Sequence, residues 1–169
     1  LTFERSSQGW LQTAEGQNLI AHGVISDPTI LYEDGHYRMW FTAAIHPYTD
    51  EQELGTAYAE SEDGLIWYPR VDLATGEPLL VLRPTPGGWD AAGVETPSVL
   101  KRPDGKYMLY YTGTLLPEGS NSWAIGLAIS DDGLTWTKVG DTPVLEGQGD
   151  WEGPFLEGSP GDRQQVGGV

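Results

Sequence analysis

The chain has 169 residues, with 25 Asp and Glu against 9 Lys and Arg for a formal net charge of −16. That balance disfavours nucleic acid and anionic lipid as partners and favours a neutral ligand. The absence of cysteine excludes disulfides, thiol catalysis and Cys-based metal sites while leaving the compartment open, and the longest apolar runs, such as Leu79 to Leu82, fall far short of the ~20 residues of a membrane-spanning helix.

Taken in chain order, residues 1–22 read as the outer part of a repeat unit. Phe3 to Ile20 matches Tyr58 to Leu80, with Ser6 and Gly9 falling on Ser61 and Gly64. A complete unit follows over 24–82. Asp27 opens DPTILYEDGHYRMWFTA, an X-Pro step, an alternating strand, an Asp-Gly turn and an aromatic strand that reaches a Thr. After a variable stretch, AYAESEDGLIW supplies a small-residue strand, a Ser-acid-Asp-Gly turn and a strand starting at Trp67. The same order recurs over 94–146 as TPSVLKRPDGKYMLYYTG and GLAISDDGLTW; Pro28 and Pro97 are 69 residues apart, as are Trp67 and Trp136. Residues 150–157, with WEGPFL, begin as a further inner strand, and the tail 158–169 reads as a flexible terminus.

A repeat of this length with four antiparallel strands is the anatomy of a propeller blade, so the expected fold is an all-β β-propeller of four-stranded antiparallel blades. The ring is partial, with about two complete blades in a domain over 1–157. An incomplete ring exposes sheet edges and apolar faces. Either the chain belongs to a longer protein or copies close on one another, and a homodimer that completes the propeller is the smallest such assembly.

The abundance of aromatics suits a carbohydrate ligand. Trp40, Phe41, Tyr110, Tyr111, Trp67 and Trp136 read as layers between blades. Trp10, Trp89, Trp123 and Trp151 fall near Gly, Asp and Asn in expected loops and are candidates for stacking on a sugar ring, with His46 and His22 as possible hydrogen-bonding partners for its hydroxyls. His36 takes a turn position. No His/Asp/Glu spacing suggests a metal site, no Ser-His-Asp order is convincing and no Gly-rich loop is of the phosphate-cradling kind, so no cofactor is expected.

Three acids stand at the starts of the expected inner strands: Asp27 in SDPTI, Glu95 in GVETPSV and Glu152 in DWEGPFL. Asp27 lies one residue before its Pro, whereas Glu95 and Glu152 lie two before theirs. Inner strands surround a propeller's axis, so these side chains converge on one pocket. Converging carboxylates suit glycosidic-bond hydrolysis, which needs one acid to protonate the leaving oxygen and one carboxylate to activate water or attack carbon. Each acid also fits a turn or cap, and that reading stays open.

These motifs, DP with Gly-x-Tyr, ETPSVLKRPDGKYMLYYTG, IGLAISDDGLTW and EGP, resemble the five-bladed propeller glycosidases over Val24 to about Leu156. Glycoside hydrolase family 43 is the nearest in pattern, and families 32, 68 and 130 are more distant. The resemblance implies an inverting hydrolase of arabinosides or xylosides, with Asp27 as general base, Glu152 as general acid and Glu95 in the place of the Asp that tunes the acid. SEDGLIW and SDDGLTW resemble the Asp-box hairpin of sialidases but lack one residue between Asp and Gly, and read as structural turns. A non-catalytic sugar-binding propeller and a glycoside phosphorylase are the alternatives. Whether the protein is cytoplasmic or secreted is not specified by these features.

Overall fold

A computed structural model describes residues 25–46, 50–74, 76–115 and 122–146. They form two antiparallel sheets, one per repeat, and no helix among them is long and apolar enough to cross a membrane. The first sheet holds β1 (Ile25–Glu33), β2 (His36–Ile45), β3 (Glu53–Ser61), β4 (Tyr68–Pro69) and β5 (Leu80–Leu82); the second holds β6 (Gly93–Lys101), β7 (Tyr107–Leu115), β8 (Ser122–Ser130) and β9 (Thr137–Lys138). Each runs as a meander, β1-β2-β3-β4 in the first and β6-β7-β8-β9 in the second, with β5 also pairing with β3. The expected residues 1–22, the inner strand at 150–157 and the tail 158–169 lie outside the described residues.

The fourth strand departs from expectation in both repeats, because it is broken in two. In the first sheet β4 pairs Ala59 and Glu60, and β5 resumes beside Thr56 and Ala57 after the bridge of Val71 to Pro78. In the second, β9 pairs Ala128 and Ile129, and Leu145 rejoins at Ile125. Pro69, Pro78 and Pro143 explain the short pieces, since Pro donates no ladder hydrogen bond and is confined to edges.

Local chemistry sets the turns. Asp34 and Gly35 join β1 to β2 with φ of 52° and 90°, the paired left-handed conformation of a two-residue hairpin. The two Ser-acid-Asp-Gly turns carry the same hydrogen bonds. Ser61 Oγ accepts from the Gly64 amide at 2.8 Å while Asp63 Oδ1 accepts from Leu65 and Ile66; Ser130 Oγ and Asp132 Oδ1 do the same for Gly133, Leu134 and Thr135. Backbone amides of Thr135 and Leu134 hold the Asp132 carboxyl down at about 2.

The core lies between the sheets. Trp40 and Tyr58 from the first pack on Val94, Val99, Tyr107, Leu109 and Tyr111 from the second, each fully buried large apolar side chain contributing ~1.5–3 kcal/mol. A second layer of Met39, Phe41, Ala57, Ala59 and Trp67 covers the other face of the first sheet. Trp136 packs on this core as expected, its ring edge-on to Trp40 with centroids 6.4 Å apart, whereas Tyr110, also expected there, is only half-buried.

The Gly133 turn latches the two sheets together. Trp40 Nε1 donates to its carbonyl at 2.7 Å and Arg38 Nη2 donates to the Asp132 carbonyl at 2.6 Å. A Cβ on Gly133 would stand 2.9 Å from both Arg38 and Trp40 at φ +76°, whereas one on Gly64, at φ +74°, would stand 3.4 Å from Tyr37. Gly64→Ala therefore incurs backbone strain alone, ~1–3 kcal/mol, and Gly133→Ala or Gly133→Val adds a collision in a packed layer. Chemical denaturation should rank Gly133 variants as the more costly; equal losses would show that the latch is not tight.

Candidate active site

Both inner strands, β1 and β6, carry a bulge at the Pro step. The ladder to β2 shifts between Ser26 and Thr29, and that from β6 to β7 shifts between Glu95 and Ser98. Within the bulges Asp27 has φ 52° and Thr96 φ 47°. A left-handed residue immediately before Pro is doubly disfavoured, and for a β-branched Thr it is a clear outlier. Bulges of this kind re-aim a side chain, and strain that persists needs surroundings that enforce it. Here a hydrogen bond from the Thr96 amide to the buried Thr42 Oγ1, 2.9 Å across the sheets, supplies part of that enforcement.

The register also refines the expected equivalence of the acids. Asp27 matches Thr96, and Ser26 matches Glu95, so the two carboxylates sit one residue apart around equivalent bulges. They are brought near one another all the same. Glu95 is half-buried; burial pushes its carboxyl up, a hydrogen bond donated by Thr114 Oγ1 at 3.2 Å partly offsets this, and the charge on Asp27 pushes it further up. Asp27 is exposed and its Oδ2 accepts from Ser26 Oγ at 2.9 Å. An open carboxyl beside a half-buried one whose proton affinity is raised is an arrangement that acid–base chemistry uses. Glu152 and Trp151 lie outside the described residues, as do Trp10 and His22.

The remaining candidates separate. Trp123 on β8 is paired with Thr114, the residue that holds Glu95, and so shares its face. His46 follows β2 at the same end of the sheets; it is exposed, with φ 47° and its amide donating to Glu77 Oε1 at 2.9 Å. Trp89 differs from expectation. Its ring stacks on Tyr111 with centroids 5.8 Å apart at 17°, and it lies over Gly113, where a Cβ would collide with it, so that ring face is occupied by protein. The physical reason is its neighbour Asp90, fully buried, which ties the 83–92 linker down by accepting from the Thr85 amide, the Tyr111 hydroxyl and Lys138 Nζ.

Thr42, Thr96, Thr112 and Thr114 form a hydroxyl layer around the two acids that residue-by-residue reading missed. Thr96 Oγ1 lies 2.5 Å from Thr112 Oγ1, and Thr56, paired with Thr42, has a buried Oγ1 without a partner among the described residues. The recurring Thr at the end of each aromatic strand was the signal. His36 lines one of two equivalent open grooves beside the hairpin turns, with Glu60 and Glu62 in one and Lys106 and Asp131 in the other, at the opposite end of the sheets. No cluster of three or more metal-ligating side chains occurs among the described residues.

No protein-family model matches the chain. It is 28% identical over 138 residues to two uncharacterized proteins from two strains of Mycobacterium tuberculosis, covering 79% of this chain and 40% of theirs. The chain thus spans about 40% of the length of the curated relatives it matches. Among solved structures it is similar to a family 117 glycoside hydrolase of the marine bacterium Zobellia galactanivorans, at TM-score 0.62 and 23% identity over 80% of this chain and 43% of that one. A glycosyl hydrolase from Bacteroides ovatus gives 0.61 and 22% over 87% and 43%. A structure from work on family 130 mannoside phosphorylases, some of which are glycoside hydrolases targeting β-1,2 mannosidic linkages in Candida mannan, gives 0.61 and 22% over 80% and 40%. At these identities the likeness is one of fold.

Proposed function

We propose that this chain forms part of a glycoside hydrolase of the family 43 type, cleaving arabinoside or xyloside bonds by a two-carboxylate mechanism. The observation that carries the reading is the pair of strained bulges, at equivalent places in two repeats, that bring Asp27 and Glu95 into each other's field. In this scheme Asp27 is the general base that activates water and Glu152 the general acid that protonates the leaving oxygen. Glu95, with its raised proton affinity, tunes the acid. Trp123, Trp151 and His46 contact the sugar. Hydrolysis is favoured over phosphorolysis because, among the described residues, every Lys and Arg except Arg70 is already bound to a carboxylate.

A second copy of the chain completes the pocket in this proposal. The face of the second sheet that corresponds to the docking face of the first carries Leu100 and Ile129, 41% and 39% exposed, beside half-buried Met108, Tyr110 and Leu127. The test is an assay of the intact chain on aryl arabinosides and xylosides, with and without phosphate, alongside light scattering. Aryl release without phosphate from a dimer is the expected result. Release only with phosphate would make it a phosphorylase, binding without release a sugar-binding module, and a monodisperse monomer would overturn the assembly.

A further inference from the structure

Thr42 occupies a place shared by both bulges. Its strand, β2, pairs it with Ser26, the residue before Asp27, and its hydroxyl reaches across to the second sheet to accept from the amide of Thr96, the residue after Glu95. It is 1% exposed. Another side-chain hydrogen bond between the bulged strands, from the Val99 amide to Thr29 Oγ1 at 3.3 Å, lies on the far side of both bulges from the two acids. We infer that Thr42 is a positioning residue that fixes the Asp27 and Glu95 carboxylates relative to one another, by holding the strained Thr96 amide from the strand that registers Asp27. The inference rests on the two-carboxylate reading above and deepens it.

The physical argument is one of constraint. Thr96 in the left-handed region relaxes toward extended backbone unless something opposes that change, and a rotation there swings the adjoining Glu95. A hydroxyl anchored on a rigid, fully buried β2 opposes it directly, because rotating Thr96 turns its N–H away from Thr42. The groups that act on the Glu95 carboxyl are Asp27 from β1 and the Thr114 hydroxyl from β7, so a shift of Glu95 registers in how strongly it senses Asp27.

A cycle of carboxyl titrations on the intact chain, read by NMR of 13C-labelled Glu and Asp side chains, measures this without requiring turnover. In the parent, Asp27→Asn should lower the Glu95 midpoint by removing the neighbouring charge. In the Thr42→Val background the same substitution should move it by less than half as much, and in Thr42→Ser by nearly the full amount. Thr42→Ala provides the same readout if Val does not fold. Where activity is present, Thr42→Val should lower kcat by roughly tenfold to a hundredfold, with KM little changed, as expected for misplaced catalytic groups. An Asp27 effect of equal size in the Val, Ala and Thr backgrounds overturns the role of Thr42 and leaves the carboxylate pair standing. An Asp27→Asn substitution that leaves Glu95 unmoved in the parent overturns both.

Discussion

Asp27→Asn should lower glycosidic-bond cleavage by about 10²–10⁴-fold, the span that a positioned acid or base typically contributes. Glu95→Gln, which removes the group that tunes the acid rather than the acid itself, should lower it by less. Both replacements keep size and hydrogen-bonding shape while removing the charge or proton that the chemistry needs. Stability should move the other way for Glu95. Its folded proton affinity is raised, by burial first and by Asp27 in addition, so the ionised form is disfavoured in the folded state. The stability linked to this group is fully present below the ordinary Glu range and is lost as pH rises through the folded midpoint. At neutral pH Glu95→Gln removes that penalty and should melt at or slightly above the parent. A variant that loses both activity and melting temperature would mark Glu95 as structural, and a wild-type rate in either variant would remove that residue from the mechanism.

Arg38→Ala should cost about 3–5 kcal/mol, the loss seen when one partner of a buried ion pair is removed, out of a total of roughly 5–15 kcal/mol for a domain. Arg38 is the polar pin between the sheets. Nη1 donates to Glu33 Oε1 at 2.7 Å and to the Tyr107 hydroxyl at 2.8 Å, Nε donates to the Tyr58 hydroxyl at 2.7 Å, and Nη2 donates to the Asp132 carbonyl. Without it Glu33 remains mostly buried, with Tyr107 and Lys101 as its partners. Arg38→Met with Glu33→Leu, which removes both charges, should recover much of the loss; the second repeat already carries Met108 at the corresponding place.

The same pin predicts acid sensitivity. Burial raises the Glu33 carboxyl, but hydrogen bonds from Lys101, Tyr107 and Arg38 outweigh it and hold the group at about 2 against an ordinary 4.5. Its contribution is therefore present above about 4.5 and lost as pH falls toward 2. Urea midpoints across that window should fall less steeply in Glu33→Gln than in the parent; parallel curves would show that the ion pair does not couple to folding.

The sequence alone determined the repeat, the strand order and the turns, because each depends on neighbours in the chain. Alternation, Asp-Gly at the hairpin and Ser-acid-Asp-Gly before Trp67 and Trp136 specify backbone conformation within a few residues. It also placed acids at the inner strand starts, since Pro28 and Pro97 mark those starts. Tertiary structure alone decided which groups meet. The one-residue offset of Asp27 and Glu95 from their Pro residues was legible in the sequence, but the left-handed bulges at Asp27 and Thr96, and the approach of the two carboxyls, were not. Packing on Tyr111 took up one face of Trp89, and the docking of β2 on the second sheet gave Arg38 and Thr42 partners 54 to 94 positions away. Such pairings arise from the docking of one sheet on another, and no local pattern encodes a contact whose two halves are whole repeats apart.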